Sequence, residues 1–175
     1  VPGEHEQPAT DGGADATDDA MMARALELAR QAQALGEVPI GAVVWHMPTG
    51  RVLGEGFNLR ERDHDPTAHA EVRAIQAAAR ALGDWRLEHC ALAVTLEPCT
   101  MCAGAIVLAR VERLVIGAMD PKAGACGSLA ALTEDPRLNH RVTPLTGVRA
   151  DESAQLLRTF FRKLRGGEAG GSDGR

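Results

Sequence analysis

Tyrosine is absent from the 175 residues, and aromatic side chains of all kinds make up only 3% of them. With so few large rings the core must be built from aliphatic side chains and alanine, and a hydrophobic content of 45% suffices to fill one compact domain. The chain is too short for two full domains. No apolar run approaches the roughly 18 residues that a membrane-spanning helix needs. The acidic N-terminus lacks the basic start and apolar centre of a signal peptide, so neither a transmembrane nor a secreted chain is expected.

Positive charge is in short supply as well: 19 basic residues face 24 acidic ones, a formal net charge of -5. Six of the acids (Glu4, Glu6, Asp11, Asp15, Asp18, Asp19) fall in the first 20 residues, which hold no Lys or Arg, so the rest carries 19 basic against 18 acidic residues, or +1. The acidity belongs to the tail, and the body of the domain does not repel an anionic partner. Lysine occurs only at Lys122 and Lys163, and the other 17 basic residues are arginine, whose planar fork suits phosphate but equally reflects coding bias. Four cysteines, at positions 90, 99, 102 and 126, are too unevenly spaced for a disulfide framework and suggest a reduced, cytoplasmic setting.

Residues 1–17 and 166–175 have tail composition, Gly-rich and polar without apolar periodicity, which leaves 18–165 as the folded domain. Asp18 or Asp19 can cap a first helix whose apolar stripe runs Met21, Ala25, Leu28, Ala32, Leu35 and stops at Gly36. Apolar runs at 40–45 and 52–57, joined by Met47-Pro48-Thr49-Gly50, predict a hairpin. After a polar loop at 58–66, Thr67 caps an alanine-rich helix over 68–82 that ends at Gly83. A buried strand at 91–96 leads to Pro98 in a first helical turn and a helix over 100–109. A strand at 114–118, an apolar stretch at 129–132, a strand near 142–145 and a helix over 151–163 complete the chain. This order predicts a three-layer α/β fold around one mixed sheet.

Chemistry concentrates in two fragments, His69-Ala70-Glu71 and Pro98-Cys99-Thr100-Met101-Cys102, each at the start of a predicted helix. Cysteines three apart on a helix share a face, and the positive helix end favours their thiolate forms. With His69 they make three N/S ligands, the number a catalytic zinc site uses when its fourth position is kept for water. Two thiolates neutralise the ion's charge and weaken it as an activator, so a nearby base is needed, and Glu71 is the candidate. The alternatives are a closed structural zinc site with Cys90, Cys126 or His64 as fourth ligand, a redox Cys-x-x-Cys pair, and a His69 that merely packs or caps.

The two fragments together resemble the zinc-dependent cytidine/deoxycytidylate deaminase superfamily. Residues 37–43, 54–58, 64–68, 95–98, 124–129, Asn139-His140-Arg141 and Phe160-Phe161-Arg162 make the chain similar to the bacterial tRNA adenosine deaminases (TadA type), over about 20–165. The resemblance implies a three-layer α/β/α sandwich with a central mixed five-stranded sheet. It implies one Zn2+ per subunit held by His69, Cys99 and Cys102, and a homodimer with sites near the subunit interface. The implied reaction is hydrolytic deamination at C6 of the wobble adenosine of a tRNA anticodon, giving inosine and ammonia, with Glu71 moving the protons.

By the same resemblance Asn58 hydrogen-bonds the target base, Val38 and Pro39 line its pocket, and Asp120 and Lys122 lie near the RNA. Phe160, Phe161 and Arg162 belong to a C-terminal helix whose surroundings, 141–165, hold six basic and two acidic residues, locally +4. From the residues alone Asn58 equally closes the hairpin strand, Asp120 and Lys122 are loop charges, and at least one phenylalanine closes the core. The longer turn at 47–50, Cys126 in place of a small residue, and the acidic tail depart from the family pattern. Two other functions remain open: a deaminase of a free base or nucleoside (guanine, cytosine or cytidine), and a noncatalytic zinc-stabilised RNA-binding module.

Overall fold

A computed structural model describes residues 14–168 of the chain. Its elements in order are α1 (Ala16–Ala34), β1 (Gly41–His46), β2 (Arg51–Phe57), the single turn α2 (Arg60–Asp63), α3 (Ala70–Leu82), β3 (Cys90–Leu96), α4 (Thr100–Leu108), β4 (Arg113–Ala118), β5 (Pro144–Thr146) and α5 (Ala150–Glu168). The five strands form one mixed sheet in the order β2-β1-β3-β4-β5. β1 is antiparallel to β2 and β3, whereas β3, β4 and β5 run parallel. No helix among the described residues is long and apolar enough to cross a membrane.

Alternation along β1 and β3 splits the core in two. Ala42, Val44, Leu92 and Val94 face a cluster completed by Ala70, Ala74, Ala78 and Ile106 of α3 and α4, while Val43, Trp45, Ala91 and Ala93 face Met22, Leu26 and Leu28 of α1 and Leu156 of α5. The result is the three-layer α/β/α sandwich. On the α3 side two glycines of β2 let the helix come down on the strand: a Cβ on Gly54 would overlap the Ala74 carbonyl, and one on Gly56 the Ala70 carbonyl. The alanine stripe of α3 and these glycines thus set the height at which the helix, and the His69 before it, sits over the sheet.

Several boundaries differ from the sequence expectation. α1 is capped by Asp15, not by Asp18 or Asp19: Asp15 accepts the Thr17 and Asp18 N–H groups, and Asp18 answers by accepting the Asp15 N–H. Asp18 and Asp19 instead point to distant arginines, Arg113 at 2.5 and 3.0 Å and Arg149 at 2.7 and 2.8 Å. Thr67 does not cap α3; its N–H and hydroxyl close a turn on Asp65, both at 2.7 Å, and the helix starts at Ala70. Pro98 lies before the first turn of α4, whose N-cap is Cys99. The apolar stretch at 129–132 contributes a bridge between Cys126 and Ala131 and a 3-10 turn from Leu132 to Glu134, and the strand expected near 142–145 is Pro144–Thr146. Helix begins at Ala16 and ends at Glu168, inside the stretches that read as tails, whose remaining parts, 1–13 and 169–175, lie outside the described residues.

Candidate active site

α3 and α4 reach the same place with their N-terminal ends. His69 is the N-cap residue of α3 and Cys99 that of α4, each in extended backbone conformation (φ -80, ψ 150 and φ -73, ψ 177) and neither using its side chain to cap. Freed from capping, the side chains converge: His69 Nδ1 lies 3.7 Å from Cys99 Sγ and 3.5 Å from Cys102 Sγ. Around a tetrahedral zinc ion with ordinary bond lengths, nitrogen and sulfur ligands stand about 3.6 Å apart. The donor set and its spacing therefore fit zinc. All three ligand atoms lie within 4.8 Å of one another, and neither Cys90, Cys126 nor His64 joins them among the described residues. A closed four-ligand site loses its support, and His69 is not merely a packing residue.

The proton balance of the cluster also suits a cation. Hydrogen bonds from the Cys102 thiol and then from the His69 ring bring the Cys99 thiol down to about 3, while sharing its proton with Cys99 and burial push Cys102 up. The same bond to Cys99 raises His69. Two helix N-termini add their positive ends to this corner, and a divalent ion held here would take the place of the shared protons, with both sulfurs as thiolates. Burial pushes Cys126 and Cys90 up to about 12 and about 11, which disfavours their thiolate forms.

Glu71, in the first turn of α3, is buried at 4% exposure, and desolvation raises its carboxyl above the ordinary range. Asn58 follows β2 and is 2% exposed. Its Oδ1 accepts the Ala70 N–H at 3.1 Å, so the strand end supplies the cap that α3 lacks locally. No partner for its Nδ2 is found among the described residues, which leaves a donor beside the ligand helix. Pro39 is buried and Val38 half-buried at the entry to β1.

The remaining expected contacts are more dispersed. Asp120 is half-buried and its Oδ1 accepts the N–H of the exposed Lys122 at 2.9 Å. Phe160 is 8% exposed and Phe161 41%, stacked edge to face at 5.3 Å, so one ring of the pair closes the core and the other meets solvent. Phe160, Phe161 and the exposed Arg162 sit on α5, in the layer opposite α3 and α4, and no contact with the ligand cluster is found for them. Arg149, counted among the basic residues of this region, is paired with Asp19 and Glu152. Two residues near the cluster had no role in the sequence reading. Arg60, exposed on α2, stands close enough for its charge to oppose protonation of His69. Glu97, two residues before Cys99, is a buried acid at 3% exposure.

Comparison with known proteins gives four findings. A family model for the cytidine and deoxycytidylate deaminase zinc-binding region matches residues 15–118. A tRNA-specific adenosine deaminase of Bacillus subtilis (strain 168) is 47% identical over 148 residues, 85% of this chain and 91% of that protein. Among solved structures, one from a study of A-to-I editing by tRNA:A34 deaminases at the wobble position of transfer RNA superposes with a TM-score of 0.75 at 45% identity, covering 79% of this chain and 99% of that one. A guanine deaminase from Nitrosomonas europaea superposes with a TM-score of 0.71 at 26% identity, covering 85% of each chain.

Proposed function

The chain belongs to the zinc-binding cytidine and deoxycytidylate deaminase family, and from that premise we propose that it hydrolyses the amino group of the wobble adenosine in a tRNA anticodon, yielding inosine and ammonia. The observation that carries this reading is the convergence of His69, Cys99 and Cys102 on one point, with the buried Glu71 and Asn58 held by the same helix N-terminus. His69 Nδ1 and the two sulfurs hold the zinc. When bound, the metal supplies a Lewis acid that makes water nucleophilic near neutral pH.

Glu71 takes one proton of the attacking water on a carboxylate oxygen and passes it to N1 of the purine ring, then takes the second from the new C6 hydroxyl and passes it to the amino nitrogen, which leaves as ammonia. Its burial excludes bulk water, so the proton stays in the site. Asn58 orients the base through Nδ2, because Oδ1 is engaged by Ala70. Val38 and Pro39 wall the pocket. Asp120 and Lys122 meet the sugar and phosphate beside the base, and Phe161 and Arg162 offer a stacking ring and a cation farther along the RNA, with Phe160 fixing the Phe161 ring from within.

A second copy of the chain completes the assembly in this reading. α4 buries Cys102, Ala103, Ile106 and Val107, yet Leu108 remains 69% exposed, and Met119 and Leu129 are 40% and 66% exposed. Large apolar side chains on and after the ligand-bearing helix suit the homodimer of the family. Leu108→Glu should shift the sedimenting species toward monomer; an unchanged mass would remove this face from the interface. The four free cysteines agree with a cytoplasmic location.

The test is turnover of an anticodon stem-loop with adenosine at the wobble position, beside free adenosine, cytidine and guanine. Inosine in the RNA alone is expected. Turnover of guanine, the activity of the Nitrosomonas relative, with the RNA untouched would overturn the substrate while keeping the zinc chemistry. A noncatalytic module would bind RNA without turnover, which the buried Glu71 beside the ligands argues against.

A further inference from the structure

Glu97 immediately precedes Pro98-Cys99, and its side chain enters the loop that follows β4. Four donors of that loop end on its carboxylate. The Asp120 N–H and the Ser128 hydroxyl reach Oε2 at 2.9 and 2.5 Å, and the Cys126 and Ser128 N–H groups reach Oε1 at 3.0 and 2.9 Å. Among the described residues no basic side chain pairs with it. A carboxylate at 3% exposure without a counter-ion is costly unless such donors surround it.

The loop is shaped to receive this group. A Cβ on Gly124 would overlap the Glu97 carboxylate, so only glycine admits it there. Two further ties run beside it: the Ala125 N–H donates to the Pro98 carbonyl at 2.8 Å, and Gly124 makes a β-bridge with the ligand Cys99. From the Asp120 N–H the order continues outward, because Asp120 Oδ1 accepts the N–H of Lys122.

We propose that Glu97 is a positioning residue for RNA: its buried carboxylate fastens the 120–128 loop to the metal corner, fixing Asp120 and Lys122 where they meet the nucleotide whose base is deaminated. The proposal rests on the adenosine-in-RNA reading above. It assigns to Glu97 no contact with substrate and no part in the proton transfers.

Glu97→Gln is the direct test, since it replaces one acceptor oxygen by an amide donor that must face the Asp120 side or the Cys126 side of the loop. Ser128→Ala removes the hydroxyl bond alone. With the zinc-loaded protein and the anticodon stem-loop, Glu97→Gln should raise KM about tenfold or more while kcat stays within about threefold. Zinc content should be unchanged, and amide hydrogen exchange at 120, 126 and 128 should quicken. Ser128→Ala should move KM the same way by less, and decides the matter alone if Glu97→Gln does not fold. Unchanged KM in the folded variants, a fall in kcat without a rise in KM, or loss of zinc from Glu97→Gln would each overturn the proposal. If the unaltered protein fails to edit the stem-loop, the RNA reading itself falls and takes this one with it, whereas editing by the unaltered protein with unmoved variants removes Glu97 alone.

Discussion

The two faces of the sheet are held by different means. On one face α3 lies against β2 through alanine and glycine, with Ala70, Ala74 and Ala78 over Gly54 and Gly56, and backbone meets backbone. On the other, α1 brings larger side chains, Met22, Leu26 and Leu28, against Val43 and Trp45, and its N-terminal turn is clasped by arginines from β4 and from the loop before α5. α1 does meet glycine once, at Gly41, where a Cβ would overlap the Ala25 carbonyl. The face with the chemistry is the one with least play. Small residues leave no rotamers to adjust, so the N-terminus of α3, and with it His69 and Glu71, is located to within a fraction of a side-chain length. Bulky aliphatic packing and ion pairs hold the other face together without demanding such placement.

Four substitutions would break or sharpen this contrast. Glu71→Gln strikes the chemical face at its centre and should lower kcat by about a hundredfold to ten-thousandfold with zinc content and Tm preserved; substantial turnover would show that another group handles the protons. Arg113→Ala, on the opposite face, leaves Asp18 buried at 1% without its partner and should cost about 3 kcal/mol in urea unfolding, with kcat of the folded protein unaltered. Gly56→Ala should cost about 1–3 kcal/mol, since the added methyl meets the backbone of α3, and unlike the arginine variant it should also weaken zinc binding. Equal zinc affinity in the two would erase the difference between the faces. The smallest effect belongs to Arg149→Ala. Its hydrogen bonds hold the half-buried Asp19 below the ordinary carboxylate range, so the stabilisation is present above the unfolded-state pKa and is lost as pH falls through the lower folded-state value. Tm of this variant should approach that of the parent at acid pH, and a gap that persists there would assign the loss to packing of the Arg149 stem.

The zinc ligands were legible in the sequence because each pair is local. Cys99 and Cys102 are three apart at a helix start, a spacing that puts both sulfurs on one side, and His69 and Glu71 are two apart at another, one at the N-cap and the other in the first turn. The hairpin was legible for the same reason, with Gly50 at φ +67 closing its turn. Residues that act across the chain were not. Asp18 looks like a helix cap until Arg113, 95 positions away, takes its carboxylate and Asp15 takes over the cap. Thr67 looks like the cap of α3 until Asn58 arrives from β2 to receive the Ala70 N–H. Phe160 and Phe161 are neighbours of one chemistry, and only the docking of α5 buries the first and leaves the second exposed.

Glu97 shows the division most clearly. As a letter before Pro98-Cys99 it is part of a family resemblance without a task, and no periodicity or spacing ties it to positions 120, 126 and 128. The ordering of elements and the two ligand-bearing fragments follow from the sequence by itself, because periodicity and the spacing within each fragment are properties of a few consecutive residues. Which face of the sheet each helix covers, how far α3 descends onto β2, and which loop closes over a buried carboxylate were decided only in the tertiary structure. Those outcomes depend on backbone groups that lie far apart in the chain and that meet only once the sheet has formed and excluded water from between them.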